Sequence, residues 1–135
     1  MLTKKSQYAF KALGYLADKQ QDGPVLISEI SKKKRIPLKF LENILLELRK
    51  AGILESKKGK GGGYFFKKDP ADVKMATVIR LIDGPISMLP CVSLYFYERC
   101  KNCDEKHCGL HDVMRQVRDV TLEVLESRTL ADLKD

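Results

Sequence analysis

Behind Pro37 runs LKFLENILLELRKAG, residues 38–52, and no other stretch limits the possible folds as tightly. Leu38, Leu41, Leu45 and Leu48, joined by Ile44, recur at the three- and four-residue steps of one helix face. A proline suits the first turn, whose N–H groups have no helical partner to lose, and Gly52 supplies a stop after Lys50 and Ala51. Just upstream, VLISEISKKKRI offers Ser28 as an N-cap for a short helix holding Ile30. The Lys32–Arg35 run falls at its end, where positive charge opposes the helix dipole favourably. Before that, KSQYAFKALGYLADKQ (5–20) sets Ala9, Leu13 and Leu16, with Tyr8, Ala12 and Ala17, at helical spacing until DGP at 22–24 ends it. Three helices in so short a span, the last two separated by a very short connection, form a helix-turn-helix pattern.

The periodicity then changes. ILESKKGKGGGYFFKKDP reads as two short strands, ILES and YFFK, around a lysine- and glycine-rich tip, the signature of a hairpin. Glycines in the tip permit positive φ and a close backbone approach to another surface. VKMATVIRLIDG (73–84) is another amphipathic helix, carrying Val78, Ile79 and Ile82. In LHDVMRQVRDVTLEVLES the residues Leu110, Val113, Val117, Val120 and Val124 alternate steps of three and four, a seam suited to pairing with a second helix. TLADL forms a short terminal helix with Thr129 as its cap. The expected fold is mainly α: a winged helix-turn-helix with a small β-hairpin wing and a long C-terminal helix, the dimerisation helix on the resemblance given below. Its expected division is a winged helix-turn-helix DNA-binding domain over 1–84, a cysteine-rich loop over 85–110, read below as a sensor, and the long helix with a short helix over 111–135.

Charge separates the halves. Residues 1–68 hold 16 Lys/Arg against 6 Asp/Glu, net +10, whereas 69–135 hold 9 against 12, net −3. A basic first half calls for a polyanionic partner. With 44% apolar residues a packed core is expected, no apolar run approaches the roughly 18 residues of a membrane span, and the N-terminus carries no signal-type segment. The chain is therefore expected to be cytoplasmic, away from membranes, in a compartment where clustered cysteines serve as ligands or sensors and not as structural bridges.

A helix in the major groove presents polar side chains to base edges, while lysines on the wing and flanking helices neutralise phosphates. With the leucine stripe turned inward, Lys39, Phe40, Glu42 and Asn43 face outward. Asn43 has the chemistry to read adenine and Glu42 to accept from a cytosine amino group. Thr3, Lys4, Lys5, Ser28, Lys57, Lys58, Lys60, Gly62 and Tyr64 complete the expected contact set with double-stranded DNA.

MLTKKSQYAFKALGYLA, ISEISKKKRIPLKFLENILLELRKAGIL, KKGKGGGYFFKKDP and the terminal TLADL together resemble the IscR/NsrR/CymR (Rrf-two) family of bacterial winged-helix transcription regulators, over residues 1 to about 133. The resemblance implies a homodimer on a palindromic operator, held by the 110–124 seam, with repression as the expected mode. It also implies base reading by Lys39, Glu42 and Asn43, with Lys58 entering the minor groove. Lysine stands at 58 where the family has arginine, which weakens or retunes minor-groove readout.

One polar loop concentrates the soft ligand atoms. CKNCDEKHCGLH (100–111) holds three cysteines and both histidines of the chain, and Cys91 is the only other cysteine. The spacing Cys91-x8-Cys100-x2-Cys103-x4-Cys108-x2-His111 brings enough donors into short loops for a four-coordinate centre. Cys108 and His111 open the long helix, whose dipole favours thiolate. The resemblance implies an iron–sulfur cluster, [2Fe-2S] or [4Fe-4S] with the former expected, in which Cys108 and His111 match the family's Cys-x-x-His pair and Cys100 and Cys103 compete for one position. Gln7 stands where some relatives have an acidic ligand. Zinc, a thiol switch or no metal remain as other readings of the same loop. An enzyme is not expected: a thioredoxin-type CxxC needs a βαβ setting that this chain lacks. The alternative function is a zinc-stabilised DNA-binding or interaction module without redox sensing.

Overall fold

The computed structural model describes residues 2–134. Contacts divide the chain into two units: one runs to Val73 and resumes at Thr129, the other is Lys74–Arg128.

The first unit holds α1 (Lys4–Asp18), α2 (Ile27–Lys34), α3 (Leu38–Lys50), β1 (Leu54–Lys57), β2 (Gly63–Phe66) and a terminal 3-10 helix, Leu130–Leu133. Leu41, Ile44, Leu45 and Leu48 of α3 are buried together with Leu13 and Leu16 of α1 and Ile30 of α2. Burying each such side chain contributes roughly 1.5–3 kcal/mol before conformational entropy is subtracted. Leu38, expected on this stripe, is 45% exposed, because it sits in the first turn of α3, ahead of the packed face. Arg35 adopts the left-handed conformation at the end of α2 (φ 54°), so the chain turns in two further residues and enters α3 behind Pro37. Ser28 does not cap α2. The helix begins at Ile27 with Leu26 as its N-cap and no side-chain cap bond. The Leu26 carbonyl accepts from the N–H groups of Glu29 and Ile30 at 3.1 and 3.2 Å, which leaves Ser28 exposed within the first turn.

The wing is an antiparallel pair in register Leu54↔Phe66 to Lys57↔Gly63. Val25 adds a bridge outside it: its N–H donates to the Tyr64 carbonyl at 2.9 Å and its carbonyl accepts from Tyr64 at 2.8 Å. Gly63, at φ 142°, makes this possible, since a Cβ there would drive into the Val25 backbone. At the other end, Gly14 lets the terminal helix approach α1, where a Cβ would stand 2.8 Å from the Leu133 carbonyl oxygen. That terminal helix starts at the expected cap, Thr129, in a capping box in which Thr129 and Asp132 each bond the other's backbone.

In the second unit, α4 (Met75–Ile82) packs against α5 (Gly109–Ser127), with 3-10 turns at Pro90–Val92 and Glu105–His107. The 73–84 helix is shorter than its periodicity predicts, because Val73 is extended and its carbonyl accepts from Leu130. Arg80 and Lys74 grip Glu126 at 2.9 and 3.4 Å. Burial pushes the Glu126 carboxyl up, but these two partners outweigh it and hold it below the usual range. No described residue of α5 is buried. Among the described residues no helix is long and apolar enough to cross a membrane.

Gly63→Ala should cost about 1–3 kcal/mol, read as a lower urea midpoint. Gly109→Ala, where nothing lies within 4 Å of the added Cβ, should leave the midpoint unchanged or slightly raised.

Candidate nucleic-acid interface and cysteine centre

Lys39, Phe40, Glu42 and Asn43 are all exposed on α3, opposite the buried stripe. Phe40 meets the Tyr8 ring edge-on at 5.6 Å between centroids, and Lys4 lies over the other ring of that pair, 5.3 Å from the Tyr8 centroid. Such an aromatic step holds α1 and α3 in fixed relation while leaving the Phe40 side chain accessible. Lys5 pairs with Glu47 of α3 at 2.6 Å. Thr3 caps α1, accepting from the Ser6 N–H at 3.2 Å. Ser28 lies exposed at the start of α2. Lys57, Lys58 and Lys60 are exposed at the wing, Gly62 is buried inside its turn, and Tyr64 is half-buried beside Val25. Every expected contact residue thus falls within the first unit.

Some features of this surface carried no signal in the sequence. Leu46, 38% exposed, shares the outward face of α3. Tyr15 donates to Glu29 at 2.5 Å and fastens α1 to α2. That bond, followed by burial and the charge of Glu29, pushes the Tyr15 hydroxyl up to about 12. Lys19 and Lys34 lie over its ring at 5.8 and 5.9 Å. Ordinary spacing rules do not mark a pair 14 residues apart on two different helices.

In the second unit, Cys91, Cys100, Cys103, Cys108 and His111 line one cavity of about 260 Å³. The cavity forms because the Pro90–Val92 turn presents Cys91 while the start of α5 presents Cys108 and His111. Cys108 is itself the N-cap of α5, its sulfur accepting the His111 N–H at 3.4 Å. Sulfur seldom fills this position, and here one atom both starts the helix and faces the cavity. The neighbouring Cys108 thiol, then burial, then the Cys100 thiol push the Cys103 pKa up to about 11. Cys100 is exposed, and its thiol donates to the Lys101 carbonyl at 3.6 Å. His107, with Nδ1 2.6 Å from Asp104, lies exposed in the loop and does not line the cavity.

The donors suit a thiophilic metal centre. His111 Nδ1 is buried with no hydrogen-bond partner, a costly condition for a nitrogen unless something else occupies its lone pair or proton. As the side chains stand, no group of three or more His, Cys, Asp or Glu converges to ion-binding range among the described residues.

Comparison with known proteins agrees on one family. The profile of Rrf2, described as an iron-dependent transcriptional regulator, matches residues 2–135. An rrf2-like HTH-type transcriptional regulator of Rhodobacter capsulatus is 44% identical across 98% of this chain and 91% of its own length. The HTH-type transcriptional regulator IscR of Yersinia enterocolitica is 34% identical across 98% of this chain and 77% of its length. Among solved structures, CymR, the global cysteine regulator of B. subtilis, superposes with a TM-score of 0.82 at 27% identity, covering all of this chain and 98% of its own. T. potens IscR gives 0.78 at 28%, covering 98% and 85%. These relatives are regulators and not enzymes, and the extent and agreement of the matches leave one conclusion: the chain belongs to the Rrf2 family of transcriptional regulators.

Proposed function

We propose that the chain is a homodimeric repressor of a palindromic operator, and that an iron–sulfur group in the cysteine cavity sets its operator affinity. The observation that carries this reading is the cavity itself, lined by four cysteines and by His111, whose Nδ1 is buried without a hydrogen-bond partner. Residues 1–84 serve DNA, 85–110 sense and 111–135 assemble the dimer.

On DNA, Lys39, Glu42 and Asn43 read base edges beside Phe40. Thr3, Lys4, Lys5, Ser28, Lys57 and Lys60 hold phosphates, and Lys58 enters the minor groove from a wing shaped by Gly62 and Tyr64. Dimerisation uses the stripe Leu110, Val113, Val117, Val120 and Val124, exposed to between 37% and 64% along α5. A helix with a continuous apolar stripe and no buried residue favours a partner that covers it.

Cys91, Cys108 and His111 hold the group, with the remaining position taken from the Cys100 and Cys103 pair. Cys103, half-buried, is better placed than the exposed Cys100. When bound, a [2Fe-2S] group supplies a redox-active cross-link among thiolates; [4Fe-4S] would use the same donors. The protein's part would be to release the Cys103 proton, to offer the His111 imidazole, and to hold the Cys108 sulfur at the first turn of α5. Binding or release of such a group by these residues would shift the equilibrium between dimer arrangements that bind the two half-sites differently.

Anaerobically purified protein should be brown and contain iron and acid-labile sulfide, with His111→Ala losing both faster in air. A colourless protein with stoichiometric zinc would overturn the sensing role and leave a zinc-stabilised module.

Loading should strengthen as pH rises. Cys103 is raised toward about 11 and is protonated at neutral pH, so binding must expel its proton, and affinity should fall roughly tenfold per pH unit lost for each proton released. A pH-independent Co²⁺ affinity between about pH 6.5 and 8.5 would count against Cys103 as a ligand.

In gel shifts at several salt concentrations, Lys60→Ala should weaken binding about equally on all sequences and flatten the salt slope. Asn43→Ala should cost about 1–3 kcal/mol, mainly on the operator. Equal losses by both variants on every sequence would remove Asn43 from base reading.

A further inference from the structure

Arg118 lies on α5, outside the cavity lining, and its side chain is only 14% exposed. Its Nη1 donates to the Val92 carbonyl at 2.8 Å, a contact spanning 26 residues. Its Nε and Nη2 bond Asp119 Oδ1 at 2.9 and 2.7 Å, so the guanidinium is aimed by one partner and its charge is answered there. Val92 closes the 3-10 turn Pro90–Val92, in which Cys91 is the middle residue. The Val92 side chain is buried, and the turn is closed further by the Glu98 N–H donating to the Pro90 carbonyl at 3.1 Å. Beyond it, residues 94–100 form no helix or strand. Cys91 and the Cys108–His111 pair therefore belong to separate segments, and the Arg118–Val92 bond ties the turn bearing one to the helix bearing the other.

We infer that Arg118 is the positioning residue of the cysteine centre, docking the Cys91 turn onto α5 through the Val92 carbonyl so that Cys91 joins Cys108 and His111. This rests on the reading of the cavity as a metal centre. Arg118 touches no donor atom and acts through the backbone of a neighbouring residue. The planar fork of its guanidinium fits that role, because one edge is fixed by Asp119 while another N–H remains for a single carbonyl. Groups that orient metal ligands in this way typically change metal affinity by about 10–100-fold when removed.

The test uses the full chain, reduced and metal-free under anaerobic conditions, with Co²⁺ as the probe because thiolate ligation gives it a charge-transfer band. Iodoacetamide labelling of each cysteine, read by peptide mass spectrometry, runs in parallel. In Arg118→Ala the Co²⁺ dissociation constant should rise about 10–100-fold and the band should weaken by one thiolate. Cys91 should label several-fold faster while Cys108 labels at its original rate. Asp119→Ala should move the same readouts less, and Arg118→Lys should restore part of them; helix content by circular dichroism should remain that of the parent in all three. A Co²⁺ affinity within threefold of the parent and unchanged Cys91 labelling in Arg118→Ala would overturn the inference, as would a loss in Arg118→Ala that Asp119→Ala and Arg118→Lys do not grade. If the parent itself shows no thiolate–Co²⁺ band and no iron or sulfide, the metal-centre reading fails, and Cys91 labelling still reports whether Arg118 docks the turn.

Discussion

The buried stripe of α3 sets the conditions for everything else in the first unit. Leu41, Ile44, Leu45 and Leu48 are almost fully enclosed, so the helix has no rotational freedom about its axis. Fixing that face inward fixes Lys39, Glu42 and Asn43 outward, because a helical period of about 3.6 residues leaves no other arrangement. The same constraint places Phe40 against Tyr8 and Glu47 against Lys5, which tie α1 to the helix on its accessible flank. If α3 is the helix that reads the operator, as proposed, it needs this kind of support, since a helix free to roll would lose its register with the bases.

The second unit is built differently. Its described core is slight, Ala76, Val78 and Ile79 of α4 with Val92 and Ser93, and α5 contributes no buried residue. Order there comes from polar fastenings: Arg80 and Lys74 on Glu126, Arg118 on Val92, and the Cys108 sulfur on the His111 N–H. A helix cap made of sulfur is weaker than one made of oxygen, and it joins the local stability of the first turn of α5 to the chemical state of one cysteine.

The helix-turn-helix and wing were legible because each rests on a local rule: the leucine spacing, the proline at the entry to α3, Gly52 after it and the glycine-rich tip. Errors arose at helix ends, where backbone hydrogen-bond partners and not side-chain type decided the outcome. Ser28 has the composition of a cap, but Leu26 begins the turn. Val73 has helical neighbours, yet its carbonyl is taken by Leu130, far along the chain. In the cysteine loop the short separations put the four cysteines and His111 along one cavity. Spacing could not reveal Arg118, because an arginine between Val117 and Asp119 on an amphipathic helix reads as solvated surface until its distant carbonyl partner is known.

Linkage gives the thin core of the second unit a consequence for regulation. Any ligand that binds only the ordered form stabilises it by an amount set by its concentration relative to its dissociation constant. A second copy on the Val113–Val124 stripe and a metal group between Cys91, Cys108 and His111 would both bind the ordered α5, one along its face and one at its first turn. Each would then contribute part of the ordering cost that the other otherwise bears alone. Two such events are coupled whether or not the average structure changes, and the coupling is reciprocal: a factor gained in dimer affinity on loading equals the factor gained in metal affinity on dimerisation. A well-packed α5 would have little ordering cost left to share and would transmit little. The absence of buried residues from the described α5 of the single chain is then what would let one helix serve both the proposed assembly and the proposed sensing.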